Sequence, residues 1–196
     1  AGLSENDYIT STHRGHGHCL AKGADMVRMF AELMARENGY CKGKGGSMHI
    51  ADMNIGMLGA NGIVGGGIPI AAGAALAKKL KKEEGIVVCF FGDGASNEGA
   101  FHESLNFASV FKLPIIFVCE NNQYGISTHV SRSTSAVHIA DRASGYNIPG
   151  KRMDGNDILD VYEKFKKAEE YVRAGNGPVL IEAETYRMSG HYFGDN

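Results

Sequence analysis

The run Ile86-Val87-Val88-Cys89-Phe90-Phe91-Gly92-Asp93-Gly94-Ala95 decides the fold. Its apolar part has no polar alternation, which marks a strand buried on both faces, as in a parallel sheet covered by helices. Ile115 to Cys119 is a second such run. Between them Phe101, Leu105, Ala108 and Phe111 fall on one helical stripe, and Pro114 marks the turn into the next strand. A strand-helix-strand unit crosses over right-handed, so the two strands run parallel. The expected class is α/β, a three-layer α/β/α arrangement around a mostly parallel sheet.

Outward from this unit, Pro69 to Lys82 reads as a helix with small residues for close packing and a Lys-rich end that suits the negative pole of its dipole. Residues 25–38 carry Met26, Met29, Phe30, Leu33 and Met34 at helical spacing, predicting a helix with a buried Met-rich face, Glu32 and Arg36 outside and Gly39 as the stop. Asp157 predicts an N-cap for a helix whose Ile158, Val161, Phe165, Ala168 and Val172 face inward until Gly175. Pro178 to Ala183 reads as a further buried strand. Tyr8 to Thr12 is a short extended piece inside an otherwise loop-like residues 1–23. The Gly-rich 40–67 reads as one long irregular stretch. Residues 127–147 and the tail from Thr185 read as polar loops; Ser127 to Gly145 and the chain from Met188 onward are short of apolar anchors and expected to be mobile without a ligand.

Composition narrows the function classes. Of 196 residues, 43% are hydrophobic and 21% charged, which is ordinary globular usage and excludes general disorder. The formal charge of −2, with no basic stripe, argues against a nucleic-acid partner. No apolar stretch reaches the ~18–20 residues of a membrane span. Four cysteines without C-x-x-C spacing predict a reduced, cytoplasmic setting. Glycine is the deviation: 27 residues, about twice the average share, in clusters that let main chain pass close to a ligand.

Ligands of parallel α/β sheets gather beyond the carboxyl ends of the strands. Two loops leave such ends here, Gly92-Asp93-Gly94-Ala95 and Glu120-Asn121-Asn122-Gln123-Tyr124-Gly125, one crossover apart. A carboxylate and an amide oxygen then converge. Hard oxygen ligands of this kind suit Mg²⁺ or Ca²⁺, of which Mg²⁺ prefers to complete its octahedron with phosphate oxygens and water. The pattern predicts a metal-bridged diphosphate. Singly, Asp93 reads more readily as a turn or helix-cap residue and Asn121-Asn122 as an ordinary post-strand turn; together at this spacing they are much more specific. His13, His16, His18 and Cys19 suit a transition metal only weakly, since a phosphate-facing loop explains the same residues and also uses Arg14. His49, His102, His129 and His138 read as solvated, and Gly65-Gly66-Gly67 lacks a full dinucleotide fingerprint.

Gly92-Asp93-Gly94, followed at this spacing by Asn121-Asn122, resembles the signature of thiamine diphosphate enzymes. Together with Ser96-Asn97-Glu98-Gly99, Gln123-Tyr124-Gly125 and Lys42-Gly43-Lys44-Gly45-Gly46-Ser47-Met48-His49, the chain resembles the alpha subunit of the first component of 2-oxo acid dehydrogenase complexes over essentially its whole length. Within that family, Thr12-His13-Arg14-Gly15-His16-Gly17-His18-Cys19 and Gly190-His191-Tyr192-Phe193-Gly194-Asp195 are most similar to the acetoin dehydrogenase branch.

The resemblance implies a thiamine diphosphate-binding fold, with residues 1–196 a single domain incomplete at both ends relative to family alpha subunits. It implies Mg²⁺ on Asp93, the Asn122 side chain and the Tyr124 carbonyl. His13 and Arg14 would meet the diphosphate, with Gly94 and Ala95 close by. Gly62 and Val64 would meet the aminopyrimidine through their main chain, and Ile126 would be the wedge that bends the cofactor. His191 would stand near the reacting carbon as the catalytic residue. It also implies an α₂β₂ heterotetramer whose beta subunit supplies the Glu that activates the cofactor. The substrate would be a small carbonyl compound, acetoin first, with pyruvate or a branched-chain 2-oxo acid as alternatives. A lipoyl domain of an acyltransferase would take the two-carbon unit. The reading of another class is a scaffold subunit that keeps the fold without the cofactor; retained Arg14, Asp93, Asn122 and Ile126 argue against it.

Overall fold

The computed structural model describes residues 2–195. Its elements are β1 (Tyr8–Thr12), α1 (His16–Ala21), α2 (Met26–Leu33), β2 (Met57–Asn61), α3 (Gly67–Lys81), β3 (Val87–Gly92), α4 (Gly99–Val110), β4 (Ile115–Asn121), β5 (Tyr124–Gly125), β6 (Thr128–His129), β7 (Gly150–Asp154), α5 (Ile158–Arg173) and β8 (Val179–Glu184). Six strands form one sheet in the order β2-β1-β3-β4-β8-β7, and every neighbouring pair in it is parallel. β5 and β6 make a separate antiparallel ladder of two residues each.

Alternation along the central strands builds two cores. Val87, Cys89 and Phe91 of β3 and Ile115, Phe117 and Cys119 of β4 point to one face, where Ile68, Ala71 and Ala75 of α3 and Phe101, Leu105 and Ala108 of α4 cover them. Val88, Ile116 and Val118 point to the other, against Cys19 of α1, Met29 of α2 and Ala168 and Val172 of α5. This double burial is why the strands read as unbroken apolar runs. It also sets the binding end. The chain leaving β1 passes to the α1/α2 face and the chain leaving β3 to the α4 face, so a crevice opens between their carboxyl ends, the place where open α/β sheets take ligands.

Local chemistry explains the helix starts. The Asp25 side chain accepts the Arg28 N–H at the head of α2. Asp157 accepts from Leu159 and Asp160 N–H at the head of α5, as its position predicts. Other expectations change. α1 lies inside the supposed loop 1–23, and β2 inside the supposed irregular 40–67; both are short and Gly-interrupted, so no period marks them. β7 is polar on its exposed positions and went unseen for the same reason. Residues Ile139–Tyr146 form a 3-10 helix whose Ile139 and Ala143 sit in the core, so this part of 127–147 does have apolar anchors. Ile158 faces solvent, not the core.

α2 departs most. Met29 is buried, but Met26, Val27, Phe30, Leu33 and Met34 are exposed, and Glu32 is wholly buried. Most of the expected inward stripe therefore faces out, because spacing shows that residues share a side, not which side meets the sheet.

Candidate cofactor and metal site

A cavity of roughly 940 Å³ fills the crevice. Its walls come from the ends of β1 (Ser11 to Arg14), β2 (Asn61 to Gly65), β3 (Phe90 to Ala95) and β4 (Glu120, Asn122), the β5 turn (Tyr124 to Ile126) and the tail (Thr185 to His191). Every sequence-predicted site residue, namely His13, Arg14, Gly62, Val64, Asp93, Gly94, Ala95, Asn122, Tyr124, Ile126 and His191, borders this one space.

Strand register brings the metal-type donors to one end. β3 and β4 pair through Gly92 and Glu120, so Asp93 and Asn122 leave neighbouring strands at the same edge. The two loops then touch: a Cβ on Gly94 would lie 3.5 Å from Gly125 Cα. Asp93 is 2% exposed, and among the described residues its Oδ2 has no hydrogen-bond partner. Burial pushes its carboxyl above the ordinary value, partly offset by its own and Gly94's N–H and by Arg187 and His129. A buried carboxylate oxygen without a partner is costly unless a cation or donor meets it. A divalent cation at this oxygen would offset that cost, and a buried carboxylate is a ligand type such an ion takes. Asn122 Oδ1 accepts the Tyr124 N–H at 3.1 Å, which fixes the amide while leaving a second lone pair.

The same cavity also carries a basic group. Arg14 Nε donates to His13 Nε2 at 3.2 Å, and Arg14 Nη2 lies 3.2 Å from His191 Nδ1. The His13 and His191 rings are 5.3 Å apart. Burial first, then Arg14, lowers the pKa of both histidines; His191 adds to the shift of His13, and Arg187 adds to that of His191 against an opposing Asp195. Two neutral imidazoles around a fixed guanidinium suit a phosphate, which Arg binds through two parallel donors.

Ile126 has φ +53° and is 55% exposed. A β-branched residue in the left-handed region is strained, and strain of this kind gathers at functional sites. Arg187 was missed by sequence reasoning. It lines the cavity, donates to the Ile126 carbonyl at 2.6 Å and sits over the Tyr124 ring at 5.3 Å. Its place in a featureless polar tail offered no period or spacing to find it.

The histidine-metal alternative fails on geometry. His18 Nδ1 is 2.7 Å from Ser11 Oγ, and its Nε2 is 3.2 Å from Glu120. Its ring stacks on Phe90, so it does not converge with His13. His138 is not simply solvated: it pairs with Glu184 at 3.3 Å, near Glu182. Arg152 already holds Glu184, while Asn121 and the Ala140 N–H hold Glu182, so the group is satisfied without a metal. His102 bonds the Tyr146 hydroxyl.

Comparison with known proteins agrees with this architecture. A solved structure of a Mycobacterium smegmatis protein described as thiamin diphosphate-dependent superposes with TM-score 0.59 over 94% of this chain and 30% of its own, at 18% identity, a likeness of fold. The acetoin:2,6-dichlorophenolindophenol oxidoreductase alpha subunit of Bacillus subtilis is 57% identical over all of this chain and 59% of its own length. That of Cupriavidus necator is 50% identical over 98% and 58%. The mitochondrial pyruvate dehydrogenase E1 alpha subunit of Dictyostelium discoideum is 43% identical over all of this chain and 51% of its own. The chain thus spans a little over half the length of these curated relatives. A family model, dehydrogenase E1 component, matches residues 1–196, and the chain belongs to that family.

Proposed function

We propose that this chain is the cofactor-holding part of the alpha subunit of a thiamine diphosphate- and Mg²⁺-dependent oxidoreductase. It cleaves acetoin, or decarboxylates a 2-oxo acid, and hands the two-carbon unit to a lipoyl group on an acyltransferase. The observation that carries the reading is the buried Asp93 Oδ2, without a partner among the described residues, which shares one cavity with Asn122 and with the Arg14, His13 and His191 group. Greater identity to the acetoin-named relatives than to the pyruvate-named one favours acetoin.

When bound, thiamine diphosphate supplies a nucleophilic carbon and an electron sink for breaking the bond beside a carbonyl. This chain's residues place and polarise. Asp93, Asn122 and the Tyr124 carbonyl would hold Mg²⁺ and, across it, the diphosphate. Arg14 and His13 would bind the phosphate oxygens, and Gly94 and Ala95 would allow their close approach. The main chain at Gly62 and Val64 would meet the aminopyrimidine, with Ile126 beneath the bend. His191, neutral near pH 7 because burial and Arg14 lower its pKa, can accept or return a proton at the substrate. The acid that activates the pyrimidine is assigned to a beta subunit in an α₂β₂ heterotetramer. No described helix is long and apolar enough to cross a membrane. We place the assembly in the cytoplasm, in keeping with four unpaired cysteines.

The test is turnover by the full-length subunit assembled with its beta partner, on acetoin and on pyruvate, with and without Mg²⁺ and thiamine diphosphate. Cofactor-dependent turnover that favours acetoin supports the proposal. Turnover without cofactor, or a correctly assembled complex that never binds it, overturns it and leaves the scaffold role.

A further inference from the structure

Glu32 belongs to α2 yet lies at 0% exposure, and among the described residues no cation pairs with it. Four main-chain N–H groups surround its carboxylate instead. Oε2 accepts from Cys41 at 2.7 Å and Gly43 at 2.9 Å; Oε1 accepts from Gly45 at 2.6 Å and Gly46 at 3.0 Å. Such charge-assisted bonds are roughly twice as strong as neutral ones. They hold the carboxyl below its ordinary pKa although burial works the other way. An apolar residue at this position would avoid the cost of burying charge, but would orphan four N–H groups.

The glycine spacing of the loop follows from this wrapping. A Cβ on Gly39 would lie 2.5 Å from Glu32 Oε2, and one on Gly43, at φ +71°, would lie 2.4 Å from the Ala35 carbonyl carbon. A Cβ on Gly45 would lie 2.8 Å from the His49 carbonyl oxygen, which also accepts from Cys41 Sγ. From His49 the path reaches the cavity. Ala60 N–H donates to the Ile50 carbonyl, which docks the loop on β2. The His49 ring lies over Gly62, where an added Cβ would come within 3.2 Å of Nε2, and Met48 lines the cavity itself.

We propose that Glu32 is a positioning residue: its carboxylate is the template on which loop 41–46 folds, and through Met48 and His49 that loop sets the cavity wall at 61–64. The identity of the cavity's occupant rests on the cofactor reading above; the template and the wall do not.

The experiment uses the full-length subunit assembled with its beta partner and compares wild type, Glu32→Gln, Glu32→Asp and Gly45→Ala. Amide hydrogen exchange is read at 41–46 and at 61–64, with thiamine diphosphate affinity and kcat at saturating cofactor measured alongside. In Glu32→Gln, exchange rises about tenfold or more at both segments, because half of the carboxylate's acceptors become a donor. Gly45→Ala, with Glu32 intact, reproduces the rise. Cofactor affinity falls about tenfold while kcat at saturation stays within about twofold, the split expected of a residue that acts through others. Should Glu32→Gln not fold, Glu32→Asp keeps the charge and gives the same pattern at smaller amplitude. Unchanged exchange at 41–46 overturns the template, and a rise at 41–46 alone overturns the coupling to the wall. Exchange rising at both segments in the variants, with a wild-type complex that never binds thiamine diphosphate, sinks the cofactor reading and leaves this inference standing.

Discussion

Arg187 donates to the carbonyl of Ile126, and Ile126 is held in the left-handed region that β-branched residues avoid. The tail thus clamps a strained turn in the cavity wall, with the same Arg187 over the Tyr124 ring. Relieving the strain with Ile126→Gly should leave the unliganded protein as stable or more stable by about 1 kcal/mol. The same change should weaken thiamine diphosphate binding, about tenfold by analogy with other supporting contacts. Thermal melts and cofactor titration of one preparation check both halves. Loss of stability with unchanged binding would show that Ile126 is packing and not a wedge.

A second prediction concerns pH. Asp7 is fully buried; burial alone would raise its pKa, but Arg173, the Ile86 N–H and Ser4 together hold it below the ordinary 3.8. The unfolded chain therefore binds the proton more readily. Asp7 contributes stability that is fully present above its unfolded value and is lost as pH falls through the folded one. Asp7→Asn should cost about 2–3 kcal/mol at neutral pH, less than a fully buried pair because Arg173 is a third exposed. It should also flatten the acid limb of stability against pH below about 4. Denaturant unfolding at several pH values reads both.

A third prediction separates the two sides of α2. Met29→Ala should destabilise by about 2–3 kcal/mol, since it empties a core position. Phe30→Ala, exposed by 57%, should stay within about 0.5 kcal/mol in the unassembled chain. Equal costs would mean that the helix presents its other face to the sheet.

The fold was legible where burial on both faces leaves an unbroken apolar run. β3, β4 and β8 and the helix between the first two follow from Ile86 to Phe91, Phe101 to Phe111 and Pro178 to Ala183. β2 and β7 were not legible, because a short strand near a sheet edge keeps polar or glycine positions that break the pattern. At the site, the shared cavity of Asp93 and Asn122 was legible because loops that leave neighbouring strand ends of a parallel sheet meet there. Glu32 was read as outside because a Glu at helical spacing opposite methionines reads as a solvated face; only the distant loop 41–46 explains its burial. Arg187 acts through a carbonyl, Ile126 O, and side-chain spacing carries no trace of such a contact.

The central claim is that Asp93 supplies a carboxylate to a divalent ion that bridges to a diphosphate. Its most direct measurement is calorimetric titration of thiamine diphosphate into the full-length subunit assembled with its beta partner, for wild type and Asp93→Asn, with Mg²⁺ and with chelator. Wild type should bind only with Mg²⁺, and Asp93→Asn should lose at least about a hundredfold in affinity at unchanged folding, as expected when a hydrogen-bonded charged ligand is removed. Equal binding by Asp93→Asn, or tight wild-type binding in chelator, would contradict the account.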